Sequence, residues 1–363
     1  MSLRKVLPGS PGPLAGLLLL MGVAVLSGCG GDYPQSTLIP LGDFAKLVDD
    51  LFRGTVRWAV LVFVLVEGAL IYAILKFRGR PGDAEPQQTH GNAMVEVVWT
   101  IIPAVILAFI AVPTVRTIFQ TAEVPEDALE IEVIGHQWWW EFRYPSEGVV
   151  TATEMHVPAG QKVVLKMRTA DVLHSFWVPQ FAAKRDVFQN KYTTMWFTAD
   201  TIGRFPGQCA EFCGTQHARM HSWVVVQPPE EFAAWVAAQR VGSPLVNRGV
   251  VVVDTTQPPA APDSVVIRGE AAFVATGCIS CHAMVGTPLA GQLFEGNTNA
   301  GPNLSHVASR RHLAGGLFEN TEANLRRWLQ DPQAVKPDAN MRLPRPLTDD
   351  EIDVLVAYLQ TRQ

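Results

Sequence analysis

Cys209-Ala-Glu-Phe-Cys213-Gly-Thr-Gln-His217-Ala-Arg-Met220 places two thiols, an imidazole and a thioether in one short loop, and His174 opens the upstream segment His-Ser-Phe-Trp-Val-Pro. Soft thiolate and thioether ligands beside imidazoles suit copper. A structural zinc site closes on Cys and His ligands and has no use for a methionine. A disulfide between Cys209 and Cys213 is the remaining alternative, natural in an oxidising compartment. Around the loop lie short alternating stretches, Glu130-Ile131-Glu132-Val133-Ile134 and residues 162–167, 192–198 and 222–226. Bounded by Pro and Gly turns, they predict the strands of an antiparallel sandwich or barrel.

Upstream of this region the chain leaves water. Of 363 residues only 17% are charged and 48% are hydrophobic, which excludes a single soluble domain. A net charge of −5 offers no basic footprint, so nucleic acid is excluded as a partner. Arg4 and Lys5 precede an apolar run over 14–26 that is too short to span a bilayer and ends in Leu26-Ser27-Gly28-Cys29, which reads as an export signal over 1–28. Residues 58–75, with Glu67 as their one charge, and uncharged residues 97–115 are each long enough to cross roughly 30 Å of hydrocarbon. Lys76, Arg78 and Arg80 follow the first span, and the positive-inside rule puts the connecting loop in the cytoplasm and both chain ends outside. Pro103 and Pro113 are tolerated in a membrane helix. Glu67 is costly unless it faces protein or water, so the hairpin is expected to pack against another membrane subunit; a protonated, helix-buried acid is the plainer alternative. Glu96 stands at the cytoplasmic start of the second span, where an interfacial charge is the plain reading.

Downstream, 228–239 predicts a short helix, and the Gly, Pro, Thr and Asp of 241–264 predict a linker. A flexible tether of that length spans roughly 27 Å and holds its cargo at a local concentration on the order of mM. Beyond it comes Cys278-Ile279-Ser280-Cys281-His282, and C-x-x-C-H is the haem c attachment signal. The pentapeptide alone also fits half a zinc site or a redox dithiol, but no second Cys pair stands nearby to complete a zinc site. Thr348-Asp349-Asp350-Glu351 supplies a capping box, and Ile352, Leu355, Val356 and Leu359 form the apolar stripe of the helix that follows. A sixth iron ligand must come from elsewhere, and a thioether there raises the potential. Met341, just before the last helix, is the candidate; Met284 is too close to His282 to reach the opposite face, and His306 and His312 are rivals. In Trp138-Trp139-Trp140, the alternation of strand faces predicts at least one displayed ring.

The Cys209 to Met220 loop with its preceding His-Ser-Phe resembles the binuclear Cu(A) domain of cytochrome c oxidase subunit II. Gly135-His136-Gln137-Trp138 and Glu96-Val-Val-Trp99-Thr-Ile-Ile-Pro103 resemble further segments of that family, Gly301-Pro302-Asn303-Leu304 resembles a segment of class I cytochromes c, and Leu26-Ser27-Gly28-Cys29 resembles a lipoprotein lipobox. Together they resemble subunit II of the cytochrome-c-fused (caa-type) haem–copper oxidases. Three departures stand out: no Pro-Gly follows Asp186, Trp139 replaces the usual Tyr, and Arg342-Leu343 rather than Pro follows Met341.

The resemblance implies a multidomain membrane protein: a signal peptide (1–28), a lipid-anchored N-terminus with a transmembrane hairpin (29–126), an all-β cupredoxin-like Greek-key sandwich (127–228), a short helix and linker (229–264), and an all-α class I cytochrome c domain (265–363). It makes Cys209 and Cys213 bridges between two coppers, His174 and Met220 the further ligands of one ion, and His217 with the Glu211 carbonyl those of the other. The Glu211 carboxylate is implied as a magnesium ligand at the subunit I interface, Trp138 as the residue that receives electrons, and Glu96 as the mouth of a proton-uptake path. Cys278 and Cys281 would carry the haem, His282 and Met341 would ligate its iron, and Cys29 would be lipidated. All five cysteines are thereby assigned. The implied partners are oxidase subunit I and other oxidase subunits, a donor cytochrome c and membrane lipid. The implied location is the bacterial cytoplasmic (inner) membrane, with the copper and haem domains on its outer face. Electrons from cytochrome c would pass to subunit I, which reduces oxygen and pumps protons. The intact copper ligands argue against a quinol oxidase. A nitric oxide reductase subunit remains an alternative, and so, from a different class, does a copper-storage or chaperone module, which has no use for a covalent haem.

Overall fold

A computed structural model describes Leu20, residues 33–79, Gly82, Glu85, Gln88, His90, and residues 91–240, 264–284 and 301–363. The export signal apart from Leu20, the Cys29 anchor and residues 241–263 of the expected linker lie outside these described residues. Two helices, α1 (Asp43–Lys76) and α2 (Ala93–Ala122), are long and apolar enough to cross a membrane. Both extend past the apolar spans, because their polar ends go on making backbone hydrogen bonds beyond the hydrocarbon-length core. Trp58 and Phe109 stack at 5.9 Å where the helices meet, while Leu65 and Leu107 are 64% and 65% exposed, as suits side chains whose solvent is lipid. Asn92 caps α2, its side chain accepting from the backbone N–H groups of Met94 and Val95.

The helix ends distal to the connecting loop are moored to one strand. The Asp43 carboxylate accepts from the backbone N–H and the hydroxyl of Thr198 at 2.7 and 2.8 Å. Phe44 meets Trp196 edge-on at 5.5 Å, and the Trp196 indole donates to the Thr121 carbonyl in the last turn of α2 at 3.2 Å. The β domain therefore stands on the hairpin.

That domain is a sandwich of two five-stranded sheets. The first runs in the order β3 (Val149–Ala152), β2 (Trp139–Tyr144), β1 (Leu129–His136), β5 (Lys162–Thr169), β8 (Thr193–Thr198). The second runs β4 (Glu154–Pro158), β10 (His221–Gln227), β9 (Gly203–Cys209), β6 (His174–Trp177), β7 (Arg185–Val187). Ile131, Val133, Phe142, Leu165, Phe176 and Val224 are fully buried between them, the inward half of the alternation legible in β1. The pairing is not wholly antiparallel: β1 with β5, and β4 with β10, run parallel. After β3 the chain crosses to the second sheet as β4 and returns as β5 beside β1, the crossover that parallel neighbours require.

His136 pairs with Trp139, so Gln137 and Trp138 form a two-residue turn rather than strand. The expectation of a displayed tryptophan fails, since Trp138, Trp139 and Trp140 are only 6%, 8% and 0% exposed. Trp140 enters the sandwich core, and the end of the sandwich where Trp138 and Trp139 lie is covered by the C-terminal domain, a contact that strand alternation cannot foresee.

Helix α3 (Pro229–Arg240) closes the sandwich, with Trp235 packed flat on His156 and edge-on to Tyr144. The C-terminal domain is helical: α4 (Ser264–Ala275), α5 (Glu322–Gln330), the single turn α6 (Pro332–Val335) and α7 (Asp349–Gln360), with a small ribbon of β11 (His312–Leu313) and β12 (Phe318–Glu319). Helices α4 and α7 cross at Gly269, where a Cβ would overlap the Tyr358 ring. Both halves of the Thr348–Glu351 capping box are formed, and Ile352, Leu355, Val356 and Leu359 are buried with Phe273, Leu325 and Leu329.

Candidate functional site

The residues expected to bind copper converge where β6 and the β9–β10 loop meet. Cys209 ends β9, Cys213 follows in the loop, His217 begins a 3₁₀ turn, and Met220 precedes β10. Cys209 Sγ lies 3.8 Å from His174 Nδ1 and 3.2 Å from the Glu211 carbonyl oxygen. Cys213 Sγ lies 3.6 Å from His217 Nδ1 and 3.9 Å from Met220 Sδ. The two sulfurs are 3.7 Å apart, far beyond the ~2.05 Å of a disulfide, and both cysteines are free and buried. Two thiols flanked by two imidazoles, a thioether and a carbonyl form a donor set that fits a two-ion copper centre and exceeds what tetrahedral zinc uses. The contact between the two sulfurs sets their pKa values apart, that of Cys209 lowered and that of Cys213 raised.

Local packing fixes which nitrogen His174 presents. Its Nε2 is bound to the Asp171 carboxylate at 2.8 Å, which leaves Nδ1 facing Cys209. Asp171 also accepts from the Gln137 backbone N–H at 2.7 Å. Burial works against its charge, but the hydrogen bonds from His174, Gln137 and Val172 outweigh burial and lower its pKa. Gly135 gives room for the His174 ring, where a Cβ would come within 2.9 Å.

In the helical domain, Cys278 and Cys281 lie on and just after a 3₁₀ turn behind α4, and with His282 and Met341 they line one cavity. His282 Nδ1 is held by the Pro302 carbonyl at 2.8 Å, so Nε2 is the nitrogen left for a ligand. Gly301 passes so close to the ring that any Cβ would overlap it. Leu304, Leu325 and Leu329 supply an apolar wall. Two thiols, an oriented imidazole and a thioether around an apolar cavity fit a covalently attached haem. Of the rival histidines, His312 binds Glu154 at 2.8 Å and His306 binds the Gln363 carbonyl at 2.7 Å.

Trp138 joins the two sites. It lines the Cys278–His282 cavity together with Gln137 and Trp139, and its indole N–H donates to the Cys213 carbonyl at 3.0 Å. Glu96 is not brought near either centre: it is exposed in the first turn of α2, and the helix from there to Ala122 covers roughly 40 Å. The Glu211 side chain is half-exposed beside its carbonyl. Sequence reasoning missed Asp171 and the Pro302 carbonyl, whose roles depend on partners met only in the fold. An acid three residues before His174 was the one available signal.

Residues 43–117 match the family described as the cytochrome C oxidase subunit II transmembrane domain, 149–227 its periplasmic domain, and 266–363 cytochrome c. The chain is 33% identical over 343 residues to cytochrome c oxidase subunit 2 of Alkalihalophilus pseudofirmus, covering 93% of each. It is 34% identical over 365 residues to that of Bacillus sp. PS3, covering 96% of each. Among solved structures, the periplasmic domain of subunit II of cytochrome oxidase from Bradyrhizobium japonicum is 32% identical, covers 33% of this chain and 99% of its own, and has a TM-score of 0.33. With matches along nearly its whole length, the chain belongs to the cytochrome c oxidase subunit II family and carries a cytochrome c domain after the β-sandwich.

Proposed function

We propose that this subunit accepts electrons from an external cytochrome c through a covalent haem c and passes them by binuclear Cu(A) to subunit I of a proton-pumping oxidase, where oxygen is reduced to water. The observation that carries this reading is the position of Trp138, in the wall of the Cys278–His282 cavity and hydrogen-bonded to the Cys213 carbonyl at 3.0 Å. Bound in these sites, haem c and Cu(A) would supply one-electron uptake and release.

The chain's own residues do the holding and orienting. Cys278 and Cys281 would anchor the haem, His282 would offer Nε2 because Pro302 holds Nδ1, and Met341 in the same cavity would supply the thioether ligand. Cys209, Cys213, His174, Met220, His217 and the Glu211 carbonyl would hold the copper centre. Because Asp171 holds Nε2 of His174, that ring would need to move little on metal binding or redox change. Low reorganisation favours fast transfer.

The finer assignments rest on the family resemblance. By the positive-inside rule Lys76, Arg78 and Arg80 favour a cytoplasmic hairpin loop, with the β and haem domains on the outer face of a bacterial inner membrane. Glu96, at the loop end of α2, is then on the proton-uptake side. The Glu211 carboxylate is assigned to magnesium at the subunit I interface, Cys29 to a lipid anchor, and residues 127–228 and 265–363 to the two redox domains.

Purification in mild detergent with metal, haem and gas-uptake assays tests the reading. Copper, covalent haem and a multi-span haem–copper subunit should co-isolate and consume oxygen on ascorbate-reduced cytochrome c. Reduction of nitric oxide without oxygen uptake would overturn it in favour of a nitric oxide reductase, and copper without covalent haem would favour a storage or chaperone role.

A further inference from the structure

The cytochrome c domain and the sandwich exchange buried charges in both directions. Lys336, 2% exposed, lies between α6 and Met341. Its ammonium donates to the Ala314 carbonyl of its own domain at 2.8 Å, and across the boundary to the carbonyls of Trp138 at 2.9 Å and Arg219 at 3.1 Å. Arg219 is the residue before Met220. In return Glu154 of β4, also 2% exposed, accepts from His312 Nδ1 at 2.8 Å and from the Arg311 backbone N–H at 3.0 Å. The Arg204 guanidinium holds its other oxygen at 2.8 Å.

Between these charges the backbones touch. Gly315 and Gly316 have φ of +73° and +85°; a Cβ on the first would overlap the Trp138 carbonyl, and one on the second would sit 2.7 Å from His221 Cβ. The Gly315 carbonyl accepts the His221 backbone N–H at 2.9 Å, and His312 stacks on Trp223 at 4.5 Å. This is a fitted seat for a domain.

Burial lowers the Lys336 pKa to about 7, yet its three carbonyl acceptors match the three N–H donors of the ammonium form. Removing such a charge from water is offset only when each donor meets its acceptor. Two of the three acceptors belong to the other domain, so a small slip of one domain over the other leaves a buried donor unmet. Buried, hydrogen-bonded charges at an interface fix register more than they add affinity. The register fixed here is that of the Met341 loop against Trp138 and the Met220 loop.

We propose that Lys336 is a positioning residue for transfer between the two redox sites: it pins the Met341 loop to the Trp138 and Arg219 carbonyls, so that the cytochrome c domain works from one fixed seat rather than by repeated docking on its tether. The inference rests on the haem and Cu(A) reading above.

The test compares the purified complex with its Lys336→Met variant. Two quantities are read: hydrogen exchange at the His221 amide, and the rate of haem-to-copper transfer after pulsed reduction of the haem. In the variant, exchange should rise roughly ten- to a hundredfold, as expected when charge-assisted hydrogen bonds are lost. Transfer should slow and become sensitive to viscosity and salt. Reduction of the haem by external cytochrome c and both optical signatures should stay as in the wild type. A wild-type value for either exchange or transfer rate overturns the proposal. If the variant does not assemble, the wild-type complex decides: a transfer rate flat against glycerol and salt supports the pinned seat, and a rate that falls with either overturns it. A wild-type complex without covalent haem or without copper would overturn the cofactor reading, and this inference with it, before any variant is made.

Discussion

The indole N–H of Trp138 donates to the backbone carbonyl of Cys213 at 3.0 Å. The Gln137 side-chain amide reaches the same oxygen at 2.8 Å, so a residue in the wall of the Cys278–His282 cavity is tied to the peptide that carries a thiol of the proposed copper centre. Trp138→Phe keeps an aromatic ring and removes the bond. Oxygen uptake on reduced cytochrome c should fall severalfold while copper and haem contents hold, at a stability cost of about 1 kcal/mol. Unchanged uptake would remove Trp138 from the route.

Asp171 makes a different claim on the same centre. By holding His174 Nε2 at 2.8 Å it leaves Nδ1 for the proposed copper, and groups that orient a ligand in this way are typically worth about 10–100-fold in metal affinity. Asp171→Ala should lose copper to a chelator at correspondingly lower concentration, with the fold intact by circular dichroism. Equal retention would mean that packing alone orients the ring.

In the cytochrome c domain, Gly301 passes against His282 so closely that a Cβ would overlap the ring. Gly301→Ala should displace the imidazole, alter the iron ligation spectrum and cost about 1–3 kcal/mol as an overpacking change, without preventing thioether attachment at Cys278 and Cys281. Met341→Ala should abolish the thioether-ligated spectrum while His282 ligation persists. An unchanged spectrum would transfer the sixth-ligand role to a histidine.

What the sequence discloses and what it conceals divide along the range of the interactions. The alternation of Glu130, Ile131, Glu132 and Val133, the Thr348–Glu351 box and the Cys209 to Met220 ligand loop are set by neighbours in the chain, and all appear in the fold. The parallel pairing of β1 with β5 depends on a crossover between sheets. Lys336 meets Trp138 across nearly two hundred residues, and nothing in Lys336-Pro337-Asp338 marks its lysine as buried. The burial of Trp138 and Trp139 is hidden for the same reason, since their cover comes from another domain.

Glu96 stands in the first turn of α2, roughly 40 Å of helix from the end that meets the sandwich. If it feeds protons from the loop side, Glu96→Ala should slow steady-state oxygen consumption without altering copper or haem content. Consumption at the wild-type rate would return Glu96 to an ordinary interfacial charge.

Acid should weaken the sandwich through His156. Its ring lies flat on Trp235 at 4.2 Å, with Nδ1 against Gln227 Oε1 at 2.8 Å. Burial lowers its pKa from 6.5 to about 4, although Gln227 and Glu154 favour the proton and Arg204 opposes it. Below pH 6.5 the unfolded chain therefore binds a proton that the folded chain refuses, so stability is full above that pH and falls as acid is added. The fall ends near pH 4, where the folded ring titrates too, and across the window it amounts to at most about 3 kcal/mol. His156→Gln removes the titrating group. The variant should be somewhat less stable than the wild type at pH 7 for want of the ring stack, and should lose less of its urea midpoint between pH 7 and pH 4.5, as read by tryptophan fluorescence. Parallel profiles for the two proteins would show that His156 already protonates freely in the folded state.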